Sequence, residues 1–162
     1  MTGSRDLDFT AYVAARQTYL RRIAYSLTGD WHRADDLLQT ALVKLYVAWP
    51  RLRSQGAEES YVRRILVRAN IDESRRPWRR ERPGLDGLDR PTEQGTGPEE
   101  RDAVVSALQR LPAMQRKVVV LRHLVGLSVS QTAEELGISE GTVKSHSSRG
   151  LDALRSSLID HR

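Results

Sequence analysis

Thr142, Lys144, Ser145, Ser148 and Arg149 place short hydroxyl donors and long cations close together near the end of this chain. These are the side-chain types that reach phosphate oxygens and base edges, so the chemistry is recognition rather than bond making. At about 100° per residue they lie away from a side formed by Val143, Ser147, Gly150, Leu151, Leu154 and Leu158. His146 falls at the edge between the two sides, where a groove contact and a mere boundary residue fit equally. An ordinary amphipathic surface helix has the same layout, so the segment before it decides. Ser128 and Gln131 have the spacing of a capping box. Ala133 and Leu136 supply an apolar stripe, Gly137 is the residue that reverses the chain without a Cβ penalty, and Ser139 suits the next N-cap. That order predicts a helix-turn-helix whose second helix enters a DNA major groove.

A second basic segment runs from Tyr61 to Arg82. It holds Arg63, Arg64, Arg68, Arg75, Arg76, Arg79, Arg80 and Arg82 against Asp72, Glu73 and Glu81, with Tyr61, Asn70 and Trp78 interleaved. Cations, aromatic platforms and an amide suit single-stranded nucleic acid. A solvated Arg-rich helix face has the same composition.

These groups need helices to hold them, and apolar spacing near 3.6 supplies three before the linker. Phe9, Val13, Leu20, Ile23 and Leu27 predict the first, which Thr28-Gly29-Asp30 breaks with Asp30 capping the next. The second is expected over Trp31–Trp49, ended by Pro50, with a loop over Arg51–Glu59. The third is expected over Ser60–Arg76. Residues 83–98 gather glycines, prolines and acids, and predict a flexible acidic linker. Extended, it spans about 55 Å. Beyond it, Val104, Val105, Leu108 and Leu111 form one stripe, Pro112 starts a new helix and Gly126 caps it. The fold class is all-α: two small helical domains joined by the linker, the second a helix-turn-helix of winged-helix-like type.

The chain has 162 residues, 26 Lys and Arg against 21 Asp and Glu, and a net charge of +5. The excess points to an anionic partner, nucleic acid first. With no cysteine, disulfides, thiol catalysis and zinc fingers are excluded, which suits a reducing cytoplasm. The longest aliphatic run, Val118–Leu121, is far short of a membrane span, and MTGSRDLDFT does not resemble a signal peptide. His32, His123, His146 and His161 are scattered without metal-ligand spacing, and no nucleophile motif or phosphate-cradling loop appears. The expectation is a cytoplasmic, non-enzymatic protein with no cofactor, no metal and no membrane insertion.

Three ordered segments carry a resemblance. They are AxDLLQxALxKLY from Ala34 to Tyr46, YVRRILVRANIDESRR from Tyr61 to Arg76, and LPxxQRxVxxLRHLxGLSxxQxAxELGxSEGTVKS from Leu111 to Ser145. Together they resemble bacterial RNA polymerase sigma factors of the extracytoplasmic-function class, and most its actinobacterial branch. The resemblance implies domains at 1–82 (region 2), 83–98 (linker) and 99–162 (region 4). It implies that Asp35, Asp36, Leu38 and Gln39 dock on the polymerase clamp, although Asp35-Asp36 also suits a helix N-terminus. It further implies that the loop Arg51–Ser60 and the helix after it, with Tyr61, Arg64, Arg68, Asn70, Arg75 and Arg76, capture a flipped base of the −10 element. Thr142, Lys144, Ser145, Ser148 and Arg149 would read the −35 duplex. The implied partners are core RNA polymerase (clamp and flap), promoter DNA and an anti-sigma factor. A promoter spacer of about 17 base pairs covers about 58 Å, comparable to the linker's reach. Arg68 stands where the family often has Asn, and Thr40 where an acid is common. An autonomous helix-turn-helix regulator is the alternative; it requires a dimer surface or sensor domain that the sequence does not display.

Overall fold

The computed structural model describes residues 2–74 and 99–160, with side chains placed over 3–68 and 103–160. The described residues are helical with no β-strand. Helix α1 is Thr2–Thr28, α2 is Trp31–Gln55 and α3 is Glu58–Ser74. After the gap come α4 (Glu99–Arg110) and α5 (Ala113–Val119), which runs on as a π-helical stretch, Val120–Val125. The helix-turn-helix follows as α6 (Val129–Leu136) and α7 (Glu140–Asp160).

Helices α1, α2 and α3 pack mutually around Leu20, Ile23, Leu27, Leu37, Leu45, Trp49, Val62 and Leu66. The first turn forms as its residues predict. Asp30 is the N-cap of α2 and accepts from the backbone N–H groups of His32 and Arg33 at 2.8 and 3.3 Å. Gly29 precedes it at φ +75°, a left-handed conformation that favours glycine.

Three boundaries differ from the sequence reading. Helix α1 begins seven residues before Phe9, because Asp6 and Asp8 find donors on α2. Tyr46 Oη donates to Asp6 at 2.7 Å, and Trp49 Nε1 and Arg53 Nε donate to Asp8 at 3.2 and 3.1 Å. Pro50 does not end α2, which continues to Gln55. The carbonyl of Tyr46, four residues before the proline, accepts a hydrogen bond from Arg5 instead. The expected loop over Arg51–Glu59 therefore shrinks to Gly56 and Ala57, with Gly56 in the left-handed conformation that closes α2. The expected linker, 83–98, lies outside the described residues.

The two helical domains pack against each other. Ala107, Leu108, Leu111, Val119, Val120, Leu121 and Leu154 join the same apolar cluster as the first three helices. Gln109 Nε2 donates to the carbonyl of Ser26 at 2.8 Å. Arg116 spans both halves, donating to Leu27 O at 3.2 Å and to Leu108 O and Leu111 O at 3.1 Å each. These carbonyls lie at or just past the ends of α1 and α4, where backbone acceptors lose their helical partners, and one guanidinium serves both ends. Burial, with the charge of Arg33 adding to it, pushes Arg116 below its ordinary pKa range.

Candidate nucleic-acid interface

The second helix of the helix-turn-helix is set by its own caps. Ser128 Oγ accepts from Gln131 N at 3.0 Å while Gln131 Oε1 accepts from Ser128 N at 2.8 Å, completing the capping box. Gly137 closes α6 at φ +70°. Ser139 Oγ then accepts from Thr142 N at 3.0 Å at the start of α7. Buried Val143 and Leu154 hold α7 against the domain, and Gly150 lets it approach α5. A Cβ on Gly150 would lie 2.6 Å from Val119 Cγ2.

This leaves Lys144, Ser145, Ser148 and Arg149 exposed together, and Thr142 half-buried with its hydroxyl 2.9 Å from that of Ser139. The face therefore offers two cations and two unburied hydroxyls, with Thr142 at its capped end. Ser147 lies 3.1 Å from His123 Nε2, which ties α7 to the π-helical stretch. Burial, assisted by Arg122, pushes His123 below its ordinary pKa range. His146 is half-buried at the boundary, as its place on the wheel suggests.

On α3 the basic side chains separate. Arg64 and Arg68 are exposed, whereas Arg63 is buried and directed to Glu135 of α6. Asn70 lies on α3 without a described side chain, and Arg75 and Arg76 lie outside the described residues. Tyr61 is half-buried and lines an open groove of about 530 Å³. Val43, Lys44, Val47, Ala48, Pro50 and Arg51 form the rest of its lining. The groove combines an aromatic ring and apolar walls with two cations, which suits an unstacked base and its phosphates.

The acidic residues of α2 also separate. Asp35 is held by Arg21 through two hydrogen bonds, at 2.7 and 3.2 Å. The same guanidinium lies 4.2 Å from the Trp31 ring, which stacks on Tyr25. Leu38 is 2% exposed and belongs to the core. Asp36 and Gln39 are exposed, and Thr40, Val43 and Val47 continue the same face toward the groove. Val43 and Val47, 62% and 72% exposed, are surface residues that the sequence reading missed. Their signal was present: both fall off the stripe of Ala34, Leu37, Leu38, Ala41, Leu42 and Leu45.

Two family models match the chain: Sigma-70 region 2 over residues 12–80 and Sigma-70, region 4 over residues 101–154. The RNA polymerase sigma-E factor of Streptomyces coelicolor is 36% identical over 154 residues, 94% of this chain and 87% of that protein. The ECF RNA polymerase sigma factor SigW of Bacillus subtilis is 31% identical, covering 98% of this chain and 92% of that one. Among solved structures, the sigma factor RpoE in complex with the anti-sigma factor NepR from Bartonella quintana superimposes with a TM-score of 0.74. It is 26% identical, over 96% of this chain and 99% of that one.

Proposed function

Because the chain belongs to the sigma-70 family of RNA polymerase sigma factors, in its extracytoplasmic-function class, we propose that its α7 face and its α2–α3 groove are the two reading points of a promoter. Promoter-specific transcription initiation with core RNA polymerase is the function of this chain. Residues 1–82 form the polymerase-binding and −10-reading domain, 83–98 the linker and 99–162 the −35-reading domain. The observation that carries the two-point assignment is the pair of exposed surfaces of different kind, one on α7 and one between α2 and α3. One is a capped helix presenting Lys144, Ser145, Ser148 and Arg149; the other is a groove lined by Tyr61.

Each surface suits a different form of DNA. A helix with hydroxyls and cations on one face enters the major groove of a duplex. An open groove admits a base only once it is unstacked, at a cost of a few kcal/mol that the pocket and phosphate contacts offset. Tyr61 stacks on that base, and Lys44, Arg51, Arg64 and Arg68 hold the backbone beside it. Asn70, Arg75 and Arg76 are proposed as further −10 contacts on the family resemblance alone, since the Asn70 side chain and both arginines lie outside the described residues. Asp36 and Gln39, with Val43 and Val47, form the docking face for the polymerase clamp, and Asp35 and Leu38 hold that face in place. The chain carries no catalysis of its own and acts in the cytoplasm; no described helix is long and apolar enough to cross a membrane. RpoE of Bartonella quintana was solved with an anti-sigma factor, and a partner of that class is proposed for this chain.

The test is transcription in vitro from a genomic fragment library with purified core polymerase and the full chain. Defined start sites that disappear with Arg149→Ala support the reading. Core polymerase that initiates no differently with and without the chain would overturn it.

A further inference from the structure

Arg63 and Glu135 stand 72 residues apart in sequence, on α3 and on the first helix of the helix-turn-helix, yet they pair in two-pronged fashion. Arg63 Nε donates to Glu135 Oε2 at 3.2 Å and Nη2 donates to Oε1 at 2.9 Å. The side chains are only 11% and 6% exposed, so this is a dry contact between the two halves rather than a surface ion pair. It takes one cation out of the basic track that leaves Arg64 and Arg68 on the surface. Gln109 and Arg116 bind α1 carbonyls in the same closed arrangement, through neutral acceptors.

We propose that the Arg63–Glu135 pair is an intramolecular latch that holds the free chain closed and must break before the two DNA-reading faces can separate. The inhibitory part rests on the two-point promoter reading. With α3 and α6 joined by this pair and the two halves packed on one apolar cluster, the chain cannot span a promoter spacer of about 58 Å. The latch is selective for the closed state. Removing one partner leaves the other charge buried and unpaired only while the halves are packed together. Once they part, the remaining charge is solvated. The substitution therefore shifts the closed-to-open ratio instead of unfolding either half.

The chain has no cysteine, so single cysteines at exposed Gln17 and Ser106 accept a donor and acceptor dye pair on α1 and α4 without background. The expected result is high energy transfer in the full chain and a fall of tenfold or more in the closed-to-open ratio in Glu135→Gln and in Arg63→Glu. Transfer should return in the double variant Arg63→Glu with Glu135→Arg. Equal transfer in all of these, or no recovery in the swap, overturns the latch; circular dichroism confirms that each variant is helical, and Glu135→Gln suffices if Arg63→Glu does not fold. Association with core polymerase is then followed by stopped flow. Faster association of Glu135→Gln supports an inhibitory latch. An open variant that associates no faster overturns the inhibitory role. Loss of polymerase binding by every variant and by the unaltered chain overturns the promoter reading while the energy-transfer result still decides the latch.

Discussion

The guanidinium of Arg5 donates to the carbonyl of Tyr46, the acceptor that Pro50 leaves without its helical N–H. The same guanidinium lies 4.3 Å from the centre of the Tyr46 ring. An arginine from the start of α1 thus repairs the break that a proline makes in α2, and the helix carries on so that Arg51 joins the lining of the groove. Arg5→Ala should cost about 2 kcal/mol, the range for a hydrogen bond from a charged donor. Thermal unfolding should show it as a drop of several degrees. In a Pro50→Ala background the amide returns to Tyr46, so the same substitution should cost about 1 kcal/mol less. An equal cost in both backgrounds would disprove the repair.

Much of the fold was legible because its signals are local. Asp30, Ser128, Gly137 and Ser139 act on backbone groups within a few residues of themselves, and each forms the cap its position suggests. The continuation of α2 through Pro50 was not legible, since it depends on a side chain 41 residues away. The packing of the two halves was hidden for the same reason: Arg116 and Gln109 reach carbonyls of Leu27 and Ser26, and nothing in the pattern of residues identifies a carbonyl as an acceptor for a distant side chain. The proposed docking face was half legible. Motif resemblance pointed to α2, but only the packing separates exposed Asp36 and Gln39 from Asp35, paired with Arg21, and Leu38, buried in the core.

The link between α1 and α3 should make stability depend on pH at both ends. Tyr12 Oη donates to Glu59 Oε1 at 2.6 Å, and Arg16 donates to both carboxylate oxygens, at 3.2 and 2.7 Å. Burial pushes the Glu59 carboxyl up, but the hydrogen bonds from Arg16 and Tyr12 and the charges of Arg16 and Arg63 outweigh it. The net position is below the usual carboxylate range. Its stabilisation is therefore full above the unfolded value of about 4.3 and is lost as pH falls through the folded one. Tyr12 moves the other way: burial first, then the hydrogen bond to Glu59, raise its phenol. Its stabilisation is full below about 10, the unfolded value, and is lost as pH rises above that. Urea titrations across pH should show both losses. Tyr12→Phe should flatten the alkaline limb and Glu59→Gln the acidic one; limbs that persist in these variants would assign them to other groups.

Substitutions along α2 should divide by readout. Asp36→Ala with Gln39→Ala removes exposed polar groups, so the melting temperature should stay within a degree or two while capture of core polymerase falls about tenfold. Val47→Asp places a charge on the exposed apolar part of the same face and should weaken capture further. Leu38→Ala empties a buried site and should cost about 2–5 kcal/mol of stability. Asp35→Ala breaks a solvent-exposed pair with Arg21 and should cost about 1 kcal/mol or less. Full polymerase capture by the Asp36 and Gln39 double variant would remove this face from the docking surface.

On α7, recognition and positioning should separate by salt dependence. Arg149→Ala removes one exposed cation without touching the packed side of the helix. Promoter binding by the polymerase complex should weaken at every sequence tested. The slope of log affinity against log salt should fall by about 1 if Arg149 meets a phosphate. If it reads a base edge, the loss should instead concentrate at one position of the −35 element, at about 1–3 kcal/mol. Gly150→Ala acts from the opposite side. Its Cβ would press on Val119 Cγ2, so α7 must shift or Val119 must yield, at about 1–3 kcal/mol of stability. Adding Val119→Ala should recover part of that loss, because the smaller side chain makes room for the methyl. Each DNA cation stays on the helix in the Gly150 variant, so its salt slope should be unchanged while its affinity falls with the fold. A reduced slope in Gly150→Ala, or an unchanged affinity in Arg149→Ala, would contradict the division of α7 into a reading face and a packing face.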